Sequence, residues 1–390
     1  MDKEGTGRDL DLDWETHARR LADGHLRPES PWWQPIVSTP RHVFVPNWWE
    51  RDTHGRVARN GPDDPDAWFR AAYRNQTLVT RIGADHADHV EPGTVVPYGR
   101  WPTSSSTLPT LIATMYRHAM LGDGSRTLVT TGTGYGTALA CRRLGDHLVT
   151  SVDVDPYLVE AATDRLAGIG LHPRTAVCDI TETLPADLDR IVSTVSVRPV
   201  PSSWLHALRP GGRLVTTITS TAMILVADKT PDGGARGFIA SDQATFMRTR
   251  HGDDYDDTSP AAEVWQTADG DGETVSTGRY PLTYVPDSWA VHATLELEVP
   301  GIEHRTEQHE GGGRTVWMAH PDGSWARASA TKSRDLPTVH QGGSRRLWDL
   351  LTGVLDRLII GGELPVTGAR VTVTPDGETT LSRGRWSATL

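Results

Sequence analysis

Three groups of residues in this sequence are of a kind and spacing that can do chemistry. The run Gly132-Thr133-Gly134-Tyr135-Gly136 follows the short apolar stretch Leu128-Val129 and precedes a helical pattern with Ala138, Leu139 and Leu144. A strand, a glycine-rich turn and a helix form a nucleotide-site signature, because glycines let the backbone approach a ligand and the helix N-terminus faces it with unpaired N–H groups. Asp153 ends the next strand, about 20 residues on, where a carboxylate can accept hydrogen bonds from both hydroxyls of a ribose. Asp179 follows the apolar pair Ala176-Val177 and is placed either to hold the amino group of a base or to make a plain turn. The third group is a row of alcohols, Ser104-Ser105-Ser106-Thr107, just before Leu108-Pro109. At the start of a helix such a row either donates hydrogen bonds to an anion, beside the positive end of the helix dipole, or caps the helix through Ser106 or Thr107.

The elements that must position these groups follow from periodicity. Leu128-Val129 and residues 147–152, 190–193 and 213–216 are strand cores. Helices fit 109–121, the stretch after Gly136, and the stretch after Asp155-Pro156, where Leu158, Val159, Ala162 and Leu166 share a face. Asp155 reads as an N-cap before a first-turn proline, and capping accounts for it fully. Alternating strands and helices over 108–219 predict an α/β fold with a parallel sheet.

Residues 1–107 are rich in Trp, Pro and Arg. A helix over 13–23 carries Trp14, Ala18 and Leu21 on one face, the pairs Trp32-Trp33 and Trp48-Trp49 suit core or interface, and the polar stretch 50–67 reads as a loop. The acidic, turn-forming run 251–260 marks a boundary, and beyond it the pattern is mostly β. Residues 290–299 alternate apolar and polar, which predicts a half-buried strand. Pro321-Asp322-Gly323 and Pro375-Asp376-Gly377 read as hairpin turns, and one helix fits 344–359. The expected organisation is an N-terminal segment (1–107) packed on a core (108–250), followed by an α+β extension (251–390).

Composition narrows the function. The 390 residues carry 39 Lys plus Arg against 50 Asp plus Glu, a formal charge of −11, which argues against a general grip on nucleic acid or an anionic membrane. No apolar run approaches the roughly 20 residues that span a bilayer, and the charged start lacks a signal-peptide core, so a cytoplasmic location is expected. Two cysteines, Cys141 and Cys178, exclude a disulfide scaffold and a zinc ribbon. Asp85-His86-Ala87-Asp88-His89 is loosely spaced for a metal site and reads as an exposed loop.

The glycine turn fits a dinucleotide or S-adenosylmethionine. No basic residue stands beside it and no further phosphate-binding signal occurs, which suits S-adenosylmethionine, a ligand without phosphate. The later run Leu208-Arg209-Pro210-Gly211-Gly212-Arg213-Leu214-Val215 resembles a common methyltransferase motif. Together with Pro40-Arg41-His42-Val43-Phe44-Val45-Pro46, the alcohol row before Pro109, Gly132-Thr133-Gly134-Tyr135 and Val152-Asp153, in that order, the sequence resembles the protein-L-isoaspartate O-methyltransferase superfamily over about residues 30–220. Within it, the serine run, Cys141-Arg142-Arg143-Leu144-Gly145-Asp146, Thr150-Ser151-Val152-Asp153-Val154-Asp155 and the ending Arg370-Val371-Thr372-Val373-Thr374-Pro375-Asp376-Gly377 are similar to a branch of aspartate methyltransferases in graspetide, lanthipeptide and lasso-peptide maturation clusters.

The resemblance implies a Rossmann-like class I methyltransferase with a doubly wound sheet, an N-terminal family-type segment and a mixed β-rich extension. It implies S-adenosylmethionine held by Thr130, Gly132, Thr133, Gly134, Tyr135, Asp153, Val154, Asp179 and Ile180. Ser104, Ser105, Ser106 and Thr107 would then present an acceptor carboxylate. The implied partner is a modified precursor peptide with an aspartate acceptor, whose methyl ester can collapse to an aspartimide. Arg198 follows a strand end on the cofactor side, and either counters an acidic peptide or is simply solvated. The sequence departs from the family near Thr130, where no acid follows the first strand. General isoaspartyl repair and a catalytically inactive peptide-binding homologue are the competing readings. Methyl transfer to a carboxylate needs neither a metal nor a general base, since the acceptor, with a pKa of about 4, is already ionised at neutral pH.

Overall fold

The computed structural model describes residues 13–252, 255, 258–332 and 334–390. The charged start before residue 13 and part of the acidic run after 252 lie outside the described residues. At the centre are five parallel strands, in the spatial order Arg174–Val177, Val149–Asp153, Thr127–Thr130, Leu188–Val197 and Leu208–Ile218. Their side chains alternate between two cores. Leu128, Ile191 and Leu214 pack on one face with Trp204 and Leu295, while Val129, Val192 and Val215 pack on the other with Ile112, Tyr116 and Leu139. Burial on both faces is why the inner strands carry continuous apolar runs, while the edge strand Arg174–Val177 is partly exposed. The chain proceeds outward from Thr127–Thr130 in one direction, then returns to place Leu188–Val197 on the other side. The reversal opens a crevice beyond the carboxyl ends of these two strands, where open α/β sheets bind ligands.

The sheet continues with antiparallel strands: Met223–Lys229, Ala235–Gln243, Arg370–Val373, Thr379–Arg383 and Trp386–Thr389. The boundary expected near 251 therefore does not separate two cores. The last strands complete the central sheet, and Val371, Val373 and Leu381 share one apolar cluster with Leu214 and Ile239. The rest of the extension holds a five-stranded sheet between Thr274 and Gly342 and the helices Trp289–Glu298 and Leu347–Gly361.

Several expectations are corrected. Residues 290–299 form the helix Trp289–Glu298, not a strand. The helix is buried almost all round, including Thr294 and Glu296, so the alternation of apolar side chains marks no single exposed face. The stretch 50–67 is not a loop. It holds the hairpin Asn47–Asp52 with Gly55–Asn60, carrying a cross-strand Glu50–Arg59 pair at 2.8 Å, and then the helix Pro65–Ala72, capped by Asp64. Polarity misled here because the hairpin tip faces solvent. Residues 85–89 are not an exposed loop either. His86 and Ala87 are buried, and Asp88 ties Asn47, Tyr157 and Arg165 together across the N-terminal sheet and the helix Pro156–Gly168. The helix Trp14–His25, the buried Trp32, Trp48 and Trp49, and both Pro-Asp-Gly hairpin turns follow the sequence reading. No described helix is long and apolar enough to cross a membrane.

Candidate functional site

A cavity of about 480 Å³ occupies the crevice at the carboxyl ends of the parallel strands. The N-terminal sheet forms one wall through the edge strand Pro102–Ser106, which pairs with Leu78–Ile82. The glycine turn forms the floor. Gly132 and Gly134 have φ of +49° and +90°, conformations open to glycine at little cost. A Cβ on Gly134 would also meet Ala162 Cβ at 2.9 Å, so this glycine lets the helix Pro156–Gly168 close in.

The Pro-Arg-x-x-Phe-Val-Pro segment explains how the wall and the floor are joined. Arg41 is fully buried, and its guanidinium donates to the carbonyls of Ala72, Arg74, Gln76, Ser106 and Thr107 at 2.8–3.3 Å. Two of these belong to the alcohol row itself. Burial pulls its pKa down to about 10, still charged at neutral pH. Arg41 also lies 5.5 Å from the ring centroid of Tyr135, and Phe44 packs against Gly134 and Tyr135. One motif thus holds the alcohol strand and the glycine turn at fixed spacing.

Strand alternation divides the alcohols. Ser105 and Thr107 line the cavity and are partly exposed. Ser104 also borders it but is buried and accepts from Thr80 Oγ1 at 3.1 Å. Ser106 turns toward a smaller cavity of about 20 Å³ behind the glycine turn, shared with Thr133 and Tyr135. The Ser106 Oγ and the Tyr135 hydroxyl are both buried without a hydrogen-bond partner among the described residues. None of the row caps the following helix. Pro109–His118 has Leu108 at its N-cap and no side-chain cap, and Leu108 N–H donates to Thr77 Oγ1 at 3.2 Å. Ser104, Ser105 and Ser106 belong to a strand and Thr107 directly follows it, and neither Ser105 nor Thr107 caps the helix.

Asp153 lines the cavity at the end of its strand. Its two oxygens accept from Gly132 N–H at 3.0 Å and Asp155 N–H at 3.2 Å. Burial raises its pKa to about 6, outweighing the opposing backbone donors. A carboxylate in this state gains from further donors, so the group fits a ribose diol. Val154 and Ile180 flank it with apolar surface. Asp179 borders the cavity, accepts from Thr181 N–H and Oγ1, and faces His251. Thr130 borders the cavity and is engaged across the sheet: its Oγ1 bonds Thr194 Oγ1 at 2.6 Å and accepts from Thr194 N–H at 2.9 Å, lacing the two strands that flank the switch point. Together the glycine floor, the Asp153 carboxylate and the apolar flank fit S-adenosylmethionine.

Gly134 supports the site from behind without bordering either cavity. Arg198 lies outside both as well. It is largely buried against the helix Trp289–Glu298, donating to Glu296 O at 3.3 Å and pairing with its carboxylate at 3.7 Å. Asp155 does more than cap. Besides accepting from Tyr157 and Leu158 N–H, it pairs with Arg81 and Arg250 and accepts from the Tyr255 hydroxyl. Burial alone would raise its pKa, but Arg81 and the other donors hold it down to about 2.

Sequence reasoning missed the strap at residues 245–250. It crosses the open ends of the parallel strands, with Ser196 N–H donating to Met247 O at 2.8 Å and Thr249 N–H to Ser196 O at 3.0 Å. Phe246, Met247, Arg248 and Arg250 thereby reach the cavity. The strap belongs to no regular element and has no periodicity to betray it.

Against known proteins, residues 88–243 match the family model described as Protein-L-isoaspartate(D-aspartate) O-methyltransferase. The chain is similar to a protein-L-isoaspartate O-methyltransferase of Thermotoga maritima, 33% identical over 122 residues, which covers 30% of this chain and 38% of that one. It is also similar to protein-L-isoaspartate O-methyltransferase 1 of Archaeoglobus fulgidus, 30% identical over 221 residues, covering 55% of this chain and 84% of that one. A solved structure described as a protein-L-isoaspartate O-methyltransferase aligns over 95% of this chain and 99% of its own, with 17% identity and a TM-score of 0.49.

Proposed function

The chain belongs to the protein-L-isoaspartate O-methyltransferase family, and from that premise we propose that it methylates the carboxylate of an aspartate in a ribosomally made, modified peptide, using S-adenosylmethionine. The observation that carries this reading is the meeting of Asp153, the glycine turn and the alcohols Ser105 and Thr107 around one cavity. S-adenosylmethionine, when bound, supplies an electrophilic sulfonium methyl. Gly132, Asp153, Val154 and Ile180 would hold it, and Asp179 borders the same end.

The chain's own residues then have a task of alignment. The acceptor carboxylate arrives ionised, so nothing need remove a proton. Ser105 and Thr107 donate neutral hydrogen bonds that orient its oxygen without quenching its nucleophilicity, as a bidentate arginine would. Positioning of this kind can supply several kcal/mol, up to about 7–11 in the best-oriented systems.

The choice of a dedicated peptide rests on residues 251–390, which lie beyond the family match and whose last strands extend the central sheet at its far edge. General isoaspartyl repair is the second reading, favoured by the names of the matched relatives. The deciding experiment incubates the protein and S-adenosylmethionine with a cyclised aspartyl peptide encoded beside its gene and with unrelated linear isoaspartyl peptides. Mass spectrometry should show one added methyl on the cyclised peptide, followed by loss of methanol if an aspartimide forms. Efficient methylation of the unrelated peptides alone would establish repair, and no methyl gain on any would defeat both.

A further inference from the structure

Behind the strap lies a second cavity of about 430 Å³. It shares Pro102, Thr103, Phe246, Met247, Arg248 and Arg250 with the first, so the two are neighbouring compartments on either side of one wall. Its far side is built by the extension, through His292 and Glu296 of the helix Trp289–Glu298 and through Ile302. Its remaining surface combines the apolar Trp101, Ala222 and Pro260 with the neutral alcohols Ser196, Thr219, Ser220 and Thr245 and the carboxylate of Glu303. Trp101 is 40% exposed, unusual for so large an aromatic. None of the walls supplied by the extension falls within the residues that match the family model.

The strand carrying the alcohols connects the two compartments. Ser105 borders only the first, Pro102 and Thr103 border both, and Trp101 borders only the second. An extended chain advances about 3.3 Å per residue, so Trp101 lies about 13 Å along the strand from Ser105. A peptide extended beside this strand, with its acceptor at Ser105, brings the side chain three or four residues away to Trp101. The charged groups facing this compartment do not recommend a charged occupant. Glu296 is already engaged by Gly301 N–H at 3.1 Å and by Arg198, Glu303 by Ser259, Ala261 N–H and Trp265, and Arg250 by Asp155, and Arg248 has a partner as well. His292 meets His304 edge-on at 5.4 Å, and burial pulls the pKa of His292 down, favouring the neutral ring.

We propose that the second cavity is a specificity subsite, which takes an aromatic or large aliphatic side chain three or four residues from the acceptor in the substrate peptide. The proposal rests on the carboxyl methyltransferase reading for the identity of the acceptor. Its test uses cyclised aspartyl and linear isoaspartyl peptides carrying Phe or Gly at these positions on either side of the acceptor. Both kinetics and direct binding by calorimetry are measured. In the wild type, Phe at one such position should lower KM and Kd about tenfold relative to Gly, with kcat within about twofold. Trp101→Ala, a change at a partly exposed position, should abolish that preference and leave the Gly peptides unaffected. Ala222→Leu, which adds bulk at the wall of the compartment, should weaken the preference in the same direction. A preference for Phe that survives both variants, or its absence from the wild type in both assays, would overturn the subsite. If no peptide is methylated but Phe peptides still bind better and lose that advantage in Trp101→Ala, the methyltransferase reading fails and the subsite stands.

Discussion

In the proposed reading, Asp153 is the residue on which cofactor affinity should turn. Its pKa of about 6 reflects burial with too few donors. Because this value lies above that of an unfolded aspartate, the folded chain binds more protons between about pH 4 and 6, and this group's contribution to stability falls as pH rises through that window. Donors from a ribose favour the ionised form and reverse the preference, so affinity for S-adenosylmethionine should weaken tenfold per unit as pH drops below about 6. Asp153→Asn should weaken binding about tenfold to a hundredfold at pH 7.5 and flatten the profile, as calorimetry across pH would show. In the same proposal the alcohols would act on the other reactant. Ser105→Ala or Thr107→Val should lower kcat/KM about tenfold to a hundredfold and leave the cofactor Kd within about twofold. A loss of cofactor affinity instead would mean that these side chains face the donor and not the acceptor. At this scale the sequence was legible where a motif carries a backbone demand, as with Gly132 and Gly134. It showed the capping role of Asp155 but not its ion pairs, because a cap and an ion-pair hub require the same residue, and its partners Arg81, Arg250 and Tyr255 lie 74 to 100 positions away.

Among the elements, the inner parallel strands were legible because their apolar runs are buried on both faces, whereas the exposed edge strand Arg174–Val177 was not read, and the helix Pro156–Gly168 was legible because cap, first-turn proline and stop signals agree. The helix Trp289–Glu298 was misread because a fully buried helix has no polar stripe to set its period. The alcohol strand was placed at a helix start for a related reason: four small polar residues have no apolar alternation, and only the pairing with Leu78–Ile82 shows them extended. What holds that strand is Arg41. Replacing Arg41 by Met keeps much of its volume but strips the donors from five carbonyls. The expected cost is about 3–5 kcal/mol in urea unfolding, with Arg41→Lys recovering only part, since a single ammonium cannot span the same fork. An unfolding midpoint unchanged by Arg41→Met would mean that the alcohol strand is held by its sheet partners alone.

At the scale of the whole molecule, the extension and the core fold as one body. Periodicity could place a boundary near 251 but could not show that strands more than 120 residues later return to the edge of Ala235–Gln243, because long-range pairing leaves no local trace. The energetics make the consequence testable. Val371, Val373 and Leu381 are each almost wholly buried, and burying such a side chain is worth about 1.5–3 kcal/mol. Their joint contribution is comparable with the roughly 5–15 kcal/mol that holds a typical domain together. Removing residues 251–390 would also strip the helix Trp289–Glu298 from the core cluster and leave Ala235–Gln243 as a bare edge beside an uncovered apolar face, a template for association. The truncated chain is therefore expected to aggregate on size-exclusion chromatography and to lose cooperative thermal melting by circular dichroism, and with it cofactor binding. A monomeric, cooperatively melting 1–250 fragment that binds S-adenosylmethionine as the full chain does would show instead that the shared sheet is dispensable and that the extension serves only the peptide.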